Sequence, residues 1–245
     1  FTDVAERAGV LNERWAQGAV WGDYDGDNRP DLLISNRDTG ARLYHNNGDG
    51  TFTDVAPDLD VLGPEQCFAC WFWDYDNDGK LDIYINGSFA TTYDVVSDRL
   101  GKKTDRRFHS RLYRNLGSAG FQDVTEEMGL SHAWLPMGAN YGDIDNDGYL
   151  DIYLATGRPQ YSALSPNVML HNASGRTFEN ISDSSGTGHL QKGHGVSFAD
   201  YDDDGDLDLF VQTGGAVPGD RAHDLLFENP GYHAGHWLKV RLVGD

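Results

Sequence analysis

A nine-residue acidic loop recurs four times, and this repetition limits the folds that the chain can adopt more than any other feature. The copies are DYDGDNRPD (23–31), DYDNDGKLD (74–82), DIDNDGYLD (143–151) and DYDDDGDLD (200–208). Their first residues lie 51, 69 and 57 positions apart. Self-similarity at this spacing is typical of a propeller or another array of similar units.

Each loop is accompanied by the same short apolar segments in the same order. A segment such as LLISN or IYLA follows the loop, a segment of type LYxN comes next, and FTDV, FQDV or FENI closes the first three units. These segments are rich in β-branched and aromatic residues and are separated by turns that contain Gly and Asn, which predicts strands. Four short strands per unit are typical of a propeller blade. We therefore predict an all-β β-propeller built of four four-stranded blades.

The two ends of the chain leave the closure of this propeller open. The chain begins on FTDV (1–4), a segment that elsewhere ends a unit, and no such segment follows LLFEN (225–229). Residues 1–4 could complete the last blade and close a ring of four. Alternatively, the four blades form a segment of a larger propeller.

Aspartates at loop positions 1, 3, 5 and 9 direct carboxylates toward one centre, and the backbone carbonyl at position 7 adds a further donor. A donor set of oxygens alone suits Ca²⁺, whereas Mg²⁺ requires a stricter octahedron and Zn²⁺ prefers His or Cys. We predict about four structural Ca²⁺ ions. The predicted carboxylate ligands are Asp23, Asp25, Asp27, Asp31, Asp74, Asp76, Asp78, Asp82, Asp143, Asp145, Asp147, Asp151, Asp200, Asp202, Asp204 and Asp208. The predicted carbonyl ligands belong to Arg29, Lys80, Tyr149 and Asp206.

A sharp turn is expected at loop position 6, which is Gly79, Gly148 and Gly205 in the last three loops. The first loop has Asn28 there and Gly26 two positions earlier, so we expect it to bend differently or to bind more weakly. An EF-hand is excluded because position 12 carries an apolar residue in place of Glu.

The formal charge is −20, with 39 acidic and 19 basic residues, and 18 of the acids lie inside the loops. This charge argues against nucleic acid and anionic membrane surfaces as partners. No apolar run approaches the roughly 18 residues of a membrane span. Because the chain opens on Phe1 and not on Met, it is a processed or an excerpted product, from which a targeting segment could have been removed. The location that we expect is secreted or at the cell surface.

The unit WGDYDGDNRPDLLISN…RLYHNNGDGTFTDV resembles the FG-GAP/VCBS repeat of integrin α-chain propellers and of many secreted bacterial proteins. It is most similar to the cartilage acidic protein family, in which such repeats precede an ASPIC/UnbV module. The resemblance divides the chain into repeats (1–234) and a C-terminal strand like the start of that module (235–245). It implies an extracellular Ca²⁺-binding module for adhesion, matrix or self-assembly, with a protein or glycan partner and no catalysis. The alternative is a Ca²⁺-dependent polysaccharide lyase.

The longest insertion, residues 87–110, concentrates basic residues in an otherwise acidic chain. It is either a solvated loop or a docking site for an acidic partner or anionic glycan. The candidate binding residues are Arg99, Lys102, Lys103, Arg106 and Arg107. Together with Tyr93 and His109, this cluster is also the candidate site for a lyase.

Two further sets of residues carry smaller predictions. Cys67 and Cys70 allow three interpretations: buried free thiols, a local disulfide or part of a metal site. Sequons for N-glycosylation occur at Asn86, Asn172 and Asn180.

Overall fold

The computed structural model describes residues 1–215, 218–231 and 240, and within them the chain forms four antiparallel sheets that follow one another along the sequence. The prediction of an all-β fold made of propeller blades is confirmed. The segment 235–245, predicted to resemble the start of a further module, lies outside the described residues except at position 240.

Each sheet is one blade, and its strands pair in chain order. Blade 1 consists of β1 (Ala16–Gly22), β2 (Asp31–Asn36), β3 (Gly40–Asn46) and β4 (Phe52–Asp54). Blade 2 consists of β5 (Cys67–Trp73), β6 (Asp82–Gly87), β7 (Arg111–Asn115) and β8 (Phe121–Asp123). Blade 3 consists of β9 (Pro136–Gly142), β10 (Asp151–Thr156), β11 (Val168–Asn172) and β12 (Phe178–Asn180). Blade 4 consists of β13 (Gly193–Ala199), β14 (Asp208–Thr213) and β15 (Leu225–Phe227).

The acidic loop connects the first strand of each blade to the second, as the sequence predicts. The second strands of blades 1, 2 and 3 are buried along their whole length. Their side chains are apolar on both faces because a neighbouring blade or connecting segment covers each face. The loops therefore extend from the most firmly packed strands of the molecule.

Apolar side chains form the core in layers between successive blades. Between blades 2 and 3, Trp73 stacks on Phe178 with ring centroids 5.9 Å apart, and Trp71 lies 5.4 Å from the ring of Tyr141. Within blade 2, Trp71 also stacks on Tyr84 at 4.5 Å. A second layer, which includes Leu33 of blade 1, packs against blade 2. A third layer joins blades 3 and 4.

Helical structure is short and lies outside the blades. It consists of α1 (Ala5–Ala8), α2 (Thr92–Arg99) and 3₁₀ turns at Arg106–Phe108 and Gly117–Ala119. None of the helices among the described residues has the length and apolar character to cross a membrane.

Helix α2 gives the basic insertion a structure that its sequence did not predict. The Thr91 hydroxyl accepts the N–H of Asp94, and the Asp94 carboxylate accepts the N–H of Thr91, which forms a capping box. On its inner side Val95 packs with Ala133 and Leu135 in a small separate core. The interpretation of this insertion as only a solvated loop is therefore wrong.

Residues 1–10 repeat a turn that follows the fourth strand of other blades. The N–H of Val10 donates to the carbonyl of Ala5 at 3.0 Å, as that of Val61 does to Ala56 at 2.9 Å. Val10 packs on the outer part of blade 1. Residues 1–4 are exposed and form no strand, so they do not complete blade 4. Extensive contacts join blades 1 to 2, 2 to 3 and 3 to 4, whereas the described residues show none of that extent between blades 1 and 4.

Both cysteines are free, and the prediction of a buried free thiol is confirmed for Cys67, whereas Cys70 is half-buried. A β-bulge lies between Cys67 and Cys70, and Cys67 is fully buried. Burial raises the pKa of the Cys70 thiol to about 11 and that of Cys67 further. Neither thiol is therefore a thiolate near neutral pH.

The contact between the first strands of blades 3 and 4 yields a prediction. A β-carbon at Gly138 would lie 1.5 Å from the carbonyl oxygen of His194, so the two backbones meet directly. We expect Gly138→Ala to separate these strands and to lower the free energy of unfolding by about 1–3 kcal/mol in urea titrations. The matched control is Gly195→Ala on the neighbouring strand, where the nearest atom belongs to the flexible Gln212 side chain at 3.2 Å. Equal effects of the two substitutions would contradict the assigned contact.

Candidate metal centres

The first aspartate of each acidic loop folds the loop around its own carboxylate. In the first loop Asp23 accepts backbone N–H bonds from Gly26, Asp27 and Asn28 at 2.8–3.0 Å. In the other loops the first aspartate accepts bonds from positions 5 and 6 at 2.9–3.2 Å, as seen for Asp74, Asp143 and Asp200. The same backbone path is thus built four times from local bonds.

Positions 4 and 6 have a left-handed backbone in all four loops. Position 6 was predicted, and position 4 was not. In the first loop the two residues are Gly26, with φ 77°, and Asn28, with φ 65°. The other loops have Asn or Asp at position 4 and Gly at position 6. Gly26 therefore fills the same left-handed position as its counterparts, and the expectation that the first loop bends differently is wrong.

The ninth residue of each loop is a buried aspartate that joins the loop to the third strand. Asp82 is fully buried and accepts N–H bonds from Tyr75 at 3.2 Å and from Asn115 at 2.8 Å. The same two bonds are made by Asp31, Asp151 and Asp208. Burial raises the pKa of Asp82 to about 7, although the two N–H bonds lower it. Burial likewise raises the pKa of Asp151 to about 7.

Three carboxylates converge in each of the first three loops. Within each set of three, one oxygen from each carboxylate lies within 4.8 Å of the other two. The set in the first loop is Asp23/Asp25/Asp31, that in the second is Asp74/Asp76/Asp78, and that in the third is Asp143/Asp145/Asp151. The Oδ1 atom of Asp76 is buried and accepts no hydrogen bond within the described part of the chain. Several carboxylate oxygens around one point fit a hard cation such as Ca²⁺. The carbonyls at position 7 remain the predicted additional donors.

Cationic side chains pair with the loop carboxylates in blades 1 and 2. Arg29 at position 7 contacts Asp27, and Lys80 at the same position contacts Asp78. Each pair offsets part of the charge that the clustered carboxylates carry. A bound ion would share the position-5 carboxylate with this side chain.

In blades 2 to 4 an asparagine at the end of the third strand connects successive loops, and sequence analysis did not assign it a role. The Asn115 side-chain amide donates to the carbonyl of Tyr24 in the first loop at 2.7 Å and to Leu81 in the second at 2.9 Å. Asn172 bridges the second and third loops in the same way, and Asn229 bridges the third and fourth. The signal was present in the fourfold recurrence of LYxN, where only the Asn is polar and invariant.

A further asparagine contact links some of these loops. At position 4, Asn77 donates to the carbonyl of Gly148 in the next loop at 2.9 Å. Asn146 donates to the carbonyl of Gly205 at 3.2 Å. Gly26 has no side chain for such a contact, so among the described residues Asn115 provides the side-chain hydrogen bond between the first two loops.

The structure separates the predicted basic residues into two groups. Arg106 pairs with Glu126 at 2.7 Å, and Arg107 pairs with Asp105 and Glu65. Within the described part of the chain no carboxylate lies within ion-pair distance of the remaining residues, Arg99, Lys102 and Lys103.

A cavity of about 500 Å³ lies between the insertion and the segment 126–132, which connects blade 2 to blade 3, and both lysines line it. Also on its wall are the imidazoles of His109 and His132. His109 is buried, and its Nε2 lies 3.0 Å from the hydroxyl of Thr104. Burial lowers the pKa of His109, so this imidazole is neutral at neutral pH. Tyr93, the other residue considered for a lyase, does not line this cavity and is 74% exposed.

Two of the three sequons are interior. Asn172 is a buried bridge between loops, and Asn86 is fully buried and accepts a bond from the Ser110 hydroxyl at 3.1 Å. A buried amide cannot carry a glycan in the folded protein, so the prediction of glycosylation at these two positions is wrong for the folded chain. Asn180 is exposed on β12 and stays a predicted acceptor.

The different environments of two aspartates in the third loop yield a prediction. Asp151→Ala leaves the buried N–H groups of Ile144 and Asn172 without an acceptor, at about 1–3 kcal/mol each. We expect a large loss of stability in urea titrations with and without Ca²⁺. Asp147→Ala, at the exposed position 5, is the matched control, and we expect it to lower stability only when Ca²⁺ is present. If in chelator Asp151→Ala lowered the free energy of unfolding no more than Asp147→Ala does, the buried carboxylate would not stabilise the fold.

Comparison with known proteins gives a coherent set of relatives. Cartilage acidic protein 1 of Homo sapiens is 26% identical over 246 residues, which cover 97% of this chain and 34% of the relative. The Mus musculus protein of the same name is 25% identical, with the same coverage. That of Xenopus tropicalis is 26% identical over 67% of this chain and 24% of its own. The chain thus spans about a third of the length of the first two relatives.

A sequence model of the FG-GAP-like repeat matches residues 23–85 and 95–154, together half of the chain. The matched ranges contain the first three acidic loops with the strands that leave them. The fourth loop has the same bonds from its first and ninth aspartates. The chain belongs to the family of FG-GAP-like repeat proteins.

Proposed function

We propose that this chain is a secreted, Ca²⁺-stabilised propeller module that binds a partner and does not catalyse a reaction. The observation that supports Ca²⁺ most is the repeated loop, which holds several carboxylates around one point in its first three copies. The carboxylates at positions 1, 3, 5 and 9 would hold the ion together with the carbonyl at position 7. The ion would offset the repulsion among these carboxylates and join both ends of the loop.

An extracellular role is part of the same proposal. The name of the relatives associates them with cartilage, and the long relatives share nearly the whole of this chain. Free Ca²⁺ outside cells is high enough for weak sites, since extracellular modules bind it at about 10⁻⁴–10⁻³ M. We therefore propose a role in a matrix, in adhesion or in self-assembly.

The cavity beside the insertion is the surface that we propose for the partner. Lys102 and Lys103 line it without a carboxylate partner, in a chain whose net charge is −20. An unpaired cationic pair in an acidic protein favours a ligand that brings its own negative charge. We propose an anionic glycan as this ligand. The lyase alternative has less support, because Tyr93 and His109 do not line one cavity.

Removal of Ca²⁺ tests whether the acidic loops bind the ion and whether the ion stabilises the fold. With free Ca²⁺ about tenfold above Kd, each site adds about 1.4 kcal/mol, so four sites add about 5–6 kcal/mol. This is a large part of a typical stability of about 5–15 kcal/mol. We expect the Tm in chelator to lie about 10–20 °C below that in millimolar Ca²⁺. Added Ca²⁺ should restore the Tm and Mg²⁺ should do so only weakly, whereas an unchanged melt in chelator would show that the loops hold no ion.

Retention on immobilised heparin, a sulfated glycan, tests whether the cavity binds an anionic glycan. We expect the protein to be retained at low salt and the variant Lys102→Glu with Lys103→Glu to elute early, because the cavity then repels the glycan. The matched control is Arg7→Glu with Arg14→Glu, which makes the same charge change at two exposed residues on the N-terminal segment. Equal loss of retention in both variants would indicate a general charge effect and contradict binding at the cavity.

A further inference from the structure

One side chain at each acidic loop differs from blade to blade although the surrounding bonds are repeated. It directly precedes the bridging asparagine, and we call it the strand-three residue. It is His45 in blade 1, Arg114 in blade 2, His171 in blade 3 and Glu228 in blade 4. Although backbone, turn and buried aspartate are shared by the four loops, this position is one of three at which the blades differ in charge, with loop positions 4 and 7.

In three blades the strand-three residue contacts the aspartate at loop position 3. The distances are 3.2 Å from His45 Nδ1 to Asp25, 3.2 Å from Arg114 Nε to Asp76 and 3.0 Å from His171 Nε2 to Asp145. In blade 4, Glu228 Oε2 lies 3.2 Å from the hydroxyl of Tyr201, which is at loop position 2. The strand-three residue therefore lies beside a predicted ligand in blades 1 to 3 and contacts the loop itself in blade 4.

The charges around the four loops are consequently unequal. With imidazoles counted as neutral, a loop and its strand-three residue carry a formal charge of −3, −2, −4 and −7 in blades 1 to 4. The second loop is the least negative because Lys80 and Arg114 both lie beside its carboxylates. The fourth is the most negative because its six aspartates are joined by Glu228.

We propose that the strand-three residue, together with the charges at loop positions 4 and 7, sets the order in which the loops bind Ca²⁺, with the fourth loop tightest and the second weakest. This inference rests on the proposed function, since it requires the loops to bind Ca²⁺. It concerns the differences among sites that otherwise share one geometry.

The environment of Arg114 shows why its charge acts on the ion. The Tyr75 hydroxyl holds its Nε at 2.7 Å, and the guanidinium lies 5.6 Å from the ring of the same tyrosine. The side chain is 25% exposed, so water screens it only in part. A fixed unit charge about 5 Å from a divalent ion weakens binding by about tenfold or more, even with strong screening. Glu228 acts with the opposite sign.

Calorimetric titration of the full chain with Ca²⁺ tests the proposal. We expect Arg114→Gln to tighten the weakest binding event by about tenfold without changing the number of ions bound. Arg7→Gln is the matched control, because it removes the same charge from an exposed arginine outside the loops. We expect it to leave all constants unchanged. Glu228→Gln should weaken the tightest event by about two- to threefold, because Glu228 is exposed and water screens its charge more than that of Arg114.

The outcomes separate this inference from the proposed function. If the wild-type chain binds no Ca²⁺, the proposed metal role fails and the order of sites fails with it. If the wild type binds Ca²⁺ but Arg114→Gln and Glu228→Gln leave the constants as they are, only the role of the strand-three residue is overturned. Circular dichroism checks folding first, and if Arg114→Gln does not fold, Glu228→Gln decides alone.

Discussion

The buried carboxylate at the ninth loop position is the interaction on which the rest of the structure depends. In each blade it accepts one N–H from its own loop and one from the third strand, so a single side chain fixes the loop to the sheet. A buried carboxylate is costly unless its oxygens are satisfied, and here two backbone donors satisfy them. The other carboxylates of the loop are placed by this anchor and by the turn that it closes.

The asparagines extend this local anchor across the molecule. Asn115, Asn172 and Asn229 each connect a loop to its predecessor, so the four acidic loops lie in one row that hydrogen bonds hold together. The apolar layers between blades stabilise the same arrangement by burial, with the aromatic layer around Trp71 and Trp73 at its centre. The polar row and the apolar layers therefore specify the same order of blades.

The repeat made the blades, the strand order and the loop positions predictable, because each strand and turn follows from short-range pattern. What the sequence did not reveal depends on contacts between segments far apart in the chain. The bridging role of Asn172 needs the second loop, 97 residues away, and its burial removes a sequon that looked acceptable. Helix α2 was missed because its apolar side is small and its stability comes from the capping box and from Ala133 and Leu135.

The last blade differs from the others in a way that affects where local unfolding of the molecule begins. It has three described strands, and Phe210 and Leu226 on one face are 42% and 52% exposed, whereas the second strands of the other blades are buried throughout. In a linear array each unit is stabilised mainly by its neighbours. Blade 4, which the described residues cover on one face, therefore has a smaller free energy of local opening than blades covered on both faces. Amide hydrogen exchange along the chain would therefore be graded, fastest in blade 4 and slowest in blades 2 and 3, which are covered on both faces.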